Sequence, residues 1–136
     1  MMKMLVVDDD LAWRSLFRMA FEETFEVSEV VDGLDALAAL EREQPDVILL
    51  DLRMPQLDGM GFLRQMHGRG WNVPVIVCSG TFTMDNLPAI PGVYSAQKSP
   101  DLRNVWRALE VALPRPTATD PTLKSRRTLE QTVWRD

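Results

Sequence analysis

The chain has one cysteine, one histidine and one tyrosine among 136 residues, and no apolar run long enough to span a bilayer. Each shortage excludes something. A lone Cys78 permits no internal disulfide, and its place in the apolar run Val73–Cys78 suits a small buried hydrophobe better than a reactive thiol. The lone His67 has no neighbour in sequence to share a zinc ion. It precedes Gly68 near a predicted helix end, where a cation sits well against the helix dipole. A bilayer span needs roughly 18 apolar residues and a secretory leader needs a long apolar core. With neither visible, no membrane association is expected and a cytoplasmic location is. Basic charge is also scarce: 15 basic against 20 acidic side chains give a net charge of −5. Residues 1–114 hold 10 basic and 17 acidic groups, or −7, which argues against direct nucleic-acid binding. Lys124, Arg126 and Arg127 in the tail are too few to reverse that balance.

What is present is a set of apolar runs that end in polar residues. Met4–Val7 ends in Asp8 and Asp9, and Val47–Leu50 ends in Asp51. Strands are expected over 4–7, 26–31, 46–51, 74–79 and 92–97. Between them, helical periodicity appears over 10–25 (Leu16, Phe17, Ala20, Phe21), 34–43 (Leu34, Leu37, Ala38, Glu41), 59–67 (Phe62, Leu63, Met66) and 101–113 (Leu102, Val105, Trp106, Leu109). Asp9 or Asp10 is placed to cap the first helix, Asp58-Gly59 to turn into the third, and Asp101 lies near the cap of the last. Continuous apolar strands separated by amphipathic helices define an α/β fold with a parallel sheet covered on both faces. A flavodoxin-like, doubly wound, five-stranded sheet of order 2-1-3-4-5 fits. The stretch from Gly80 to Pro91 contains two prolines and few strong helix formers, so the fourth helix of such a fold is expected to be short or missing. A domain over 1–113 is followed by a Pro-rich linker and tail over 114–136, in which Leu123, Leu129 and Val133 suit a short helix.

In this order the chain reverses between strands one and three, and ligands of open α/β sheets bind at such a switch point. Asp8, Asp9 and Asp51 meet there, Ser79 ends the fourth strand and Lys98 follows the fifth. Carboxylates about 5 Å apart at an effective dielectric near 20 repel by roughly 3 kcal/mol per pair. A hard divalent cation such as Mg2+ would offset this. Asp51 can then act as a nucleophile that forms an acyl phosphate, with Ser79 and Lys98 holding phosphoryl oxygens.

These residues resemble the receiver domain of two-component response regulators. The resemblance is carried by Leu5-Val6-Val7-Asp8-Asp9-Asp10, by Asp46-Val47-Ile48-Leu49-Leu50-Asp51-Leu52-Arg53-Met54-Pro55-Gln56-Leu57-Asp58-Gly59, by Pro74–Gly80 and by Lys98. It implies that Asp51 is the phosphoacceptor and that Asp9 ligates magnesium directly, with Asp8 assisting through water. The backbone carbonyl of Arg53 would complete the protein ligands, Ser79 would bind the phosphoryl group, and Lys98 would pair with Asp51 or its phosphate. The implied donor is a histidine kinase or histidine phosphotransfer protein, in a phosphorelay whose output partner is a protein. A homodimer remains open as an output. The only chemistry expected is self-phosphotransfer and dephosphorylation, not enzymatic turnover.

The chain departs from the family at the fifth strand. The usual Lys-Pro pair is Lys98-Ser99-Pro100. The switch aromatic, three residues before the lysine, is replaced by Ser95, with Tyr94 one residue earlier and expected on the other face. A phosphorylation-independent pseudo-receiver that serves as an interaction module is therefore an alternative. A magnesium-dependent phosphohydrolase would place a second acid two residues after its nucleophile, where this chain has Arg53.

Overall fold

The computed structural model describes residues 1–54, 56–79 and 90–114. The described chain runs β1 (Met2–Val7), α1 (Leu11–Phe21), β2 (Phe25–Val30), α2 (Gly33–Arg42), β3 (Val47–Leu50), α3 (Gly59–Gly68), β4 (Val75–Ser79), β5 (Val93–Gln97) and α4 (Arg103–Ala112). All strand pairs are parallel, in the order β2-β1-β3-β4-β5. The expected doubly wound sheet is present. The expectation of a short or missing helix before β5 falls on residues 80–89, outside the described residues, as does the tail from 115.

The sheet is buried on both faces because β1, β3 and β4 carry apolar side chains of both parities. Met4, Val6, Val47, Leu49, Ile76 and Cys78 face one way, against Phe17 and Phe21 of α1 and Val105 and Leu109 of α4. Leu5, Val7, Ile48, Leu50, Val75 and Val77 face the other, against α2 and α3. Phe21 carries much of the first layer, with its ring centroid 4.6 Å from that of Trp106 and 6.1 Å from that of Phe25.

Two expectations need correction. The first helix stops at Phe21 rather than reaching Phe25. Glu22 closes it, donating its N–H to the Arg18 carbonyl, and Phe25 pairs with Met2 as the first residue of β2. On α2 the inward face is Gly33, Ala36, Leu37 and Leu40, while Leu34, Ala38 and Glu41 are exposed. Gly33 is admitted there by close approach: a Cβ on it would lie 2.3 Å from the Leu57 carbonyl oxygen. Asp101 lies next to the cap of the last helix, as expected. The N-cap itself is Leu102, buried in a left-handed conformation (φ 56°, ψ 20°) with no side-chain cap bond. Asp101 Oδ1 accepts from the Arg103 N–H at the start of α4 (3.0 Å) and from the Ser99 hydroxyl (2.8 Å). The other caps fall as expected: Asp10 accepts from Ala12 N (2.8 Å) and Asp58 from Gly61 N (2.8 Å).

Side-chain alternation on β5 places Tyr94 and Ala96 with the core shared by α1 and α4. Ser95 lies on the opposite face and is exposed. Tyr94 and Ser95 therefore lie on opposite faces of β5, as their one-residue offset predicts.

Candidate functional site

Register brings the predicted residues together. Val7 pairs with Leu50 and Leu50 with Val77, so β1, β3 and β4 end side by side. Ser79 pairs with Gln97, which puts Lys98 one step past the end of β5. Two backbone bonds close the edge: Asp51 N donates to the Val7 carbonyl (2.9 Å) and Lys98 N to the Ser79 carbonyl (2.8 Å). Asp8, Asp51, Ser79 and Lys98 are thus set by strands whose side chains are locked in the core.

Asp8, Asp9 and Asp51 each offer a carboxylate oxygen, and these atoms lie within 4.8 Å of one another. Asp8 is buried, Asp51 is half-buried and Asp9 is exposed. The Lys98 ammonium reaches in from β5, 2.7 Å from Asp8 Oδ2 and 3.8 Å from Asp51 Oδ2, with its side chain only 6% exposed. Asp8 Oδ1 accepts from Asp10 N (2.9 Å), so both Asp8 oxygens are engaged. Asp51 Oδ1 accepts from Arg53 N at 3.2 Å. The carboxyl of Asp51 is pushed above the ordinary carboxylate range. Burial is the main cause; Asp8 and Asp9 add to it, and Lys98 and the Arg53 N–H oppose it. Ser79 is buried at the end of β4. Arg53 is exposed, and its backbone rather than its side chain borders the site.

Donor chemistry fits a hard divalent cation: three carboxylates offer oxygen atoms only, at one open edge of the sheet. Thiol chemistry is excluded from this edge, because Cys78 is buried and burial pushes its thiol up to about 12. His67 lies exposed in the last turn of α3, on an element that does not contribute to the site.

Two neighbours escaped the sequence patterns. Arg14 on α1 donates from Nη1 to the Asp8 backbone carbonyl (2.8 Å) and faces Glu29 of β2 at 3.4 Å. Trp13, in the first turn of α1, presents its ring to the Lys98 ammonium, 5.0 Å from the centroid. The cap at Asp10 was the available signal, since it fixes residues 13 and 14 in the first turn beside the strand ends.

Comparison with known proteins agrees with this geometry. Residues 4–90 match the response regulator receiver domain family. The chain belongs to that family, a class of two-component signalling modules. It is 38% identical over 77 residues to the response regulator MprA of Mycobacterium leprae, a match that covers 56% of this chain and 34% of that protein. It is 41% identical over 80 residues to a protein-glutamate methylesterase/protein-glutamine glutaminase of Cereibacter sphaeroides, covering 57% of this chain and 21% of that protein. The chain thus spans about a third or less of the curated relatives it matches. Among solved structures, the Vibrio cholerae chemotaxis response regulator CheY4 superposes with a TM-score of 0.73 at 23% identity, over 83% of this chain and 99% of that one, and so shares the fold. The Francisella response regulator 1452 receiver domain gives 0.69 at 29% identity, over 82% of this chain and 97% of that one.

Proposed function

We propose that this chain is a phosphorylatable signalling receiver that takes a phosphoryl group onto Asp51 and changes its binding to a protein partner. One observation carries this: Lys98 bridges toward Asp8 and Asp51 at the strand ends, with Ser79 on the adjacent strand. Asp9 and Asp51, the carbonyl of Arg53 and, through water, Asp8 would hold Mg2+. When bound, the ion supplies positive charge that offsets charge on the phosphoryl oxygens.

The remaining chemistry belongs to the chain. A carboxylate oxygen of Asp51 attacks phosphorus of a phosphohistidine. The new O–P bond forms as the P–N bond breaks, and the imidazole nitrogen leaves with the bonding pair and takes a proton. Lys98 and the Ser79 hydroxyl orient the phosphoryl oxygens. Water later attacks phosphorus, releasing inorganic phosphate and the Asp51 carboxylate. The donor is a histidine kinase or histidine phosphotransfer protein. Residues 1–113 form the receiver and 114–136 a tail. No helix among the described residues is long and apolar enough to cross a membrane, and we place the module in the cytoplasm.

Ser95 on the exposed face, with Tyr94 against the core, supports a second reading: an interaction module indifferent to phosphate. A phosphohydrolase is disfavoured, since Arg53 stands where a general acid is needed. Intact-mass measurement after incubation with acetyl phosphate and magnesium decides between the first two. One added phosphoryl group on the wild type and none on Asp51→Asn supports the receiver. An unmodified wild-type mass on folded protein refutes it and favours the interaction module.

A further inference from the structure

Lys98 is a charge held almost wholly out of water, and Asp8 and Asp51 are not its only company. The Trp13 ring lies 5.0 Å from its ammonium. Trp13 is itself half-buried, packed on the core of α1 and α4, with its ring centroid 6.0 Å from that of Phe17. An indole face attracts an ammonium through its quadrupole, more strongly when water is excluded, and tryptophan does this best among the aromatics. A lysine ammonium on a four-carbon stem is otherwise mobile, with rotamer entropy to lose on being held. A ring anchored in the core reduces that freedom before any phosphoryl group arrives.

We propose that Trp13 is a positioning residue: its ring face holds the Lys98 ammonium beside Asp8 and Asp51, and so sets the rate at which Asp51 is phosphorylated. This rests on the phosphoacceptor role of Asp51. Trp13 touches neither the phosphoryl group nor the acceptor in this account. It acts through Lys98 alone.

The test compares wild type, Trp13→Phe and Trp13→Leu for the rate of acetyl phosphate modification in magnesium, read by intact mass. Phenylalanine keeps an aromatic face and leucine keeps only apolar bulk. The leucine variant should be slower by roughly 2- to 30-fold, the range of a cation–π contact between exposed and desolvated limits. The phenylalanine variant should recover most of that loss, while urea unfolding shows both variants folded. Equal rates for leucine, phenylalanine and wild type overturn the proposal while leaving the phosphoacceptor role intact. If the wild type takes no phosphoryl group, the phosphoacceptor role itself fails, and with it the role of Trp13. A second measurement stands should the leucine variant not fold. In protein labelled with 5-fluorotryptophan, Lys98→Met should shift the Trp13 fluorine resonance and leave that of Trp71 in place. An unmoved Trp13 resonance overturns the proposal.

Discussion

Replacing Asp51 with asparagine should make the protein more stable when no divalent cation is present. Burial and the neighbouring carboxylates disfavour the charged Asp51, and Lys98 only partly compensates. At an effective dielectric near 20, a carboxylate pair within 4.8 Å costs at least about 3 kcal/mol before solvent screening, and an ammonium at 3.8 Å returns about 4 kcal/mol. Exposure of Asp9 screens its share, while burial of Asp51 adds to the penalty. The balance is a net cost of about 1–2 kcal/mol that asparagine removes, since its amide oxygen can still accept from Arg53 N. For a domain of this size that is roughly 4–8 °C in Tm. The pH dependence has a definite sign. A carboxyl raised in the folded state binds its proton more tightly folded than unfolded, so the penalty is absent below the unfolded value near 4. It grows as pH climbs from there through the raised folded value, then stays constant. Urea unfolding of wild type and Asp51→Asn in EDTA at pH 7 and near pH 3.5 measures both statements. Saturating magnesium should close the gap, because a cation at a hundredfold its Kd adds about 2.7 kcal/mol to the protein that binds it. An asparagine variant less stable than wild type in EDTA at pH 7 would refute the reasoning.

Three further outcomes follow from backbone and burial. Gln56 is exposed with φ at 66°, so Gln56→Gly should raise the urea midpoint, a gain of about 1 kcal/mol. Gly59→Ala should lose about 1–3 kcal/mol and slow phosphorylation, because the new Cβ would lie 2.7 Å from Leu52 Cα and 2.8 Å from the Asp51 carbonyl oxygen; unfolding and adduct kinetics check both. Cys78, buried and with its thiol pushed up to about 12, should resist iodoacetamide at pH 8 in the folded protein and react only in denaturant, as mass analysis would show.

Strand ends were the most legible part of the chain. Val47–Leu50 is apolar at both parities because the strand is covered on both faces, so its boundary at Asp51 is abrupt. The helix faces were less legible where small residues decide them. Gly33 and Ala36 carry little hydrophobic signal, yet both face inward on α2, and at Gly33 the Leu57 backbone approaches too closely for any side chain. The periodicity of α1 ran on to Phe25, because an apolar residue gives no sign of whether it packs from a helix or opens a strand. The left-handed Leu102 had no signal at all, since local preference disfavours that conformation; its burial in the core and the bond from its N–H to the Ser99 carbonyl hold it. At the site, Asp8, Asp9, Asp51, Ser79 and Lys98 were readable from their places at strand ends. The contact of Trp13 with Lys98 joins residues far apart in sequence and exists only once α1 packs on the sheet that contains β5.

Alternation on β5 ties two properties to one register. A shift of that strand by a single residue would bring Tyr94 to the outer face, and it would also carry Lys98 away from Asp8 and Asp51. The outer face and the chemistry therefore cannot be tuned by sliding the strand, only by changing the residue at position 95. The carboxylate edge is then the fixed part of the molecule, and position 95 is a separate dial on the same strand. Evolution or an experimenter can turn that dial without touching the edge.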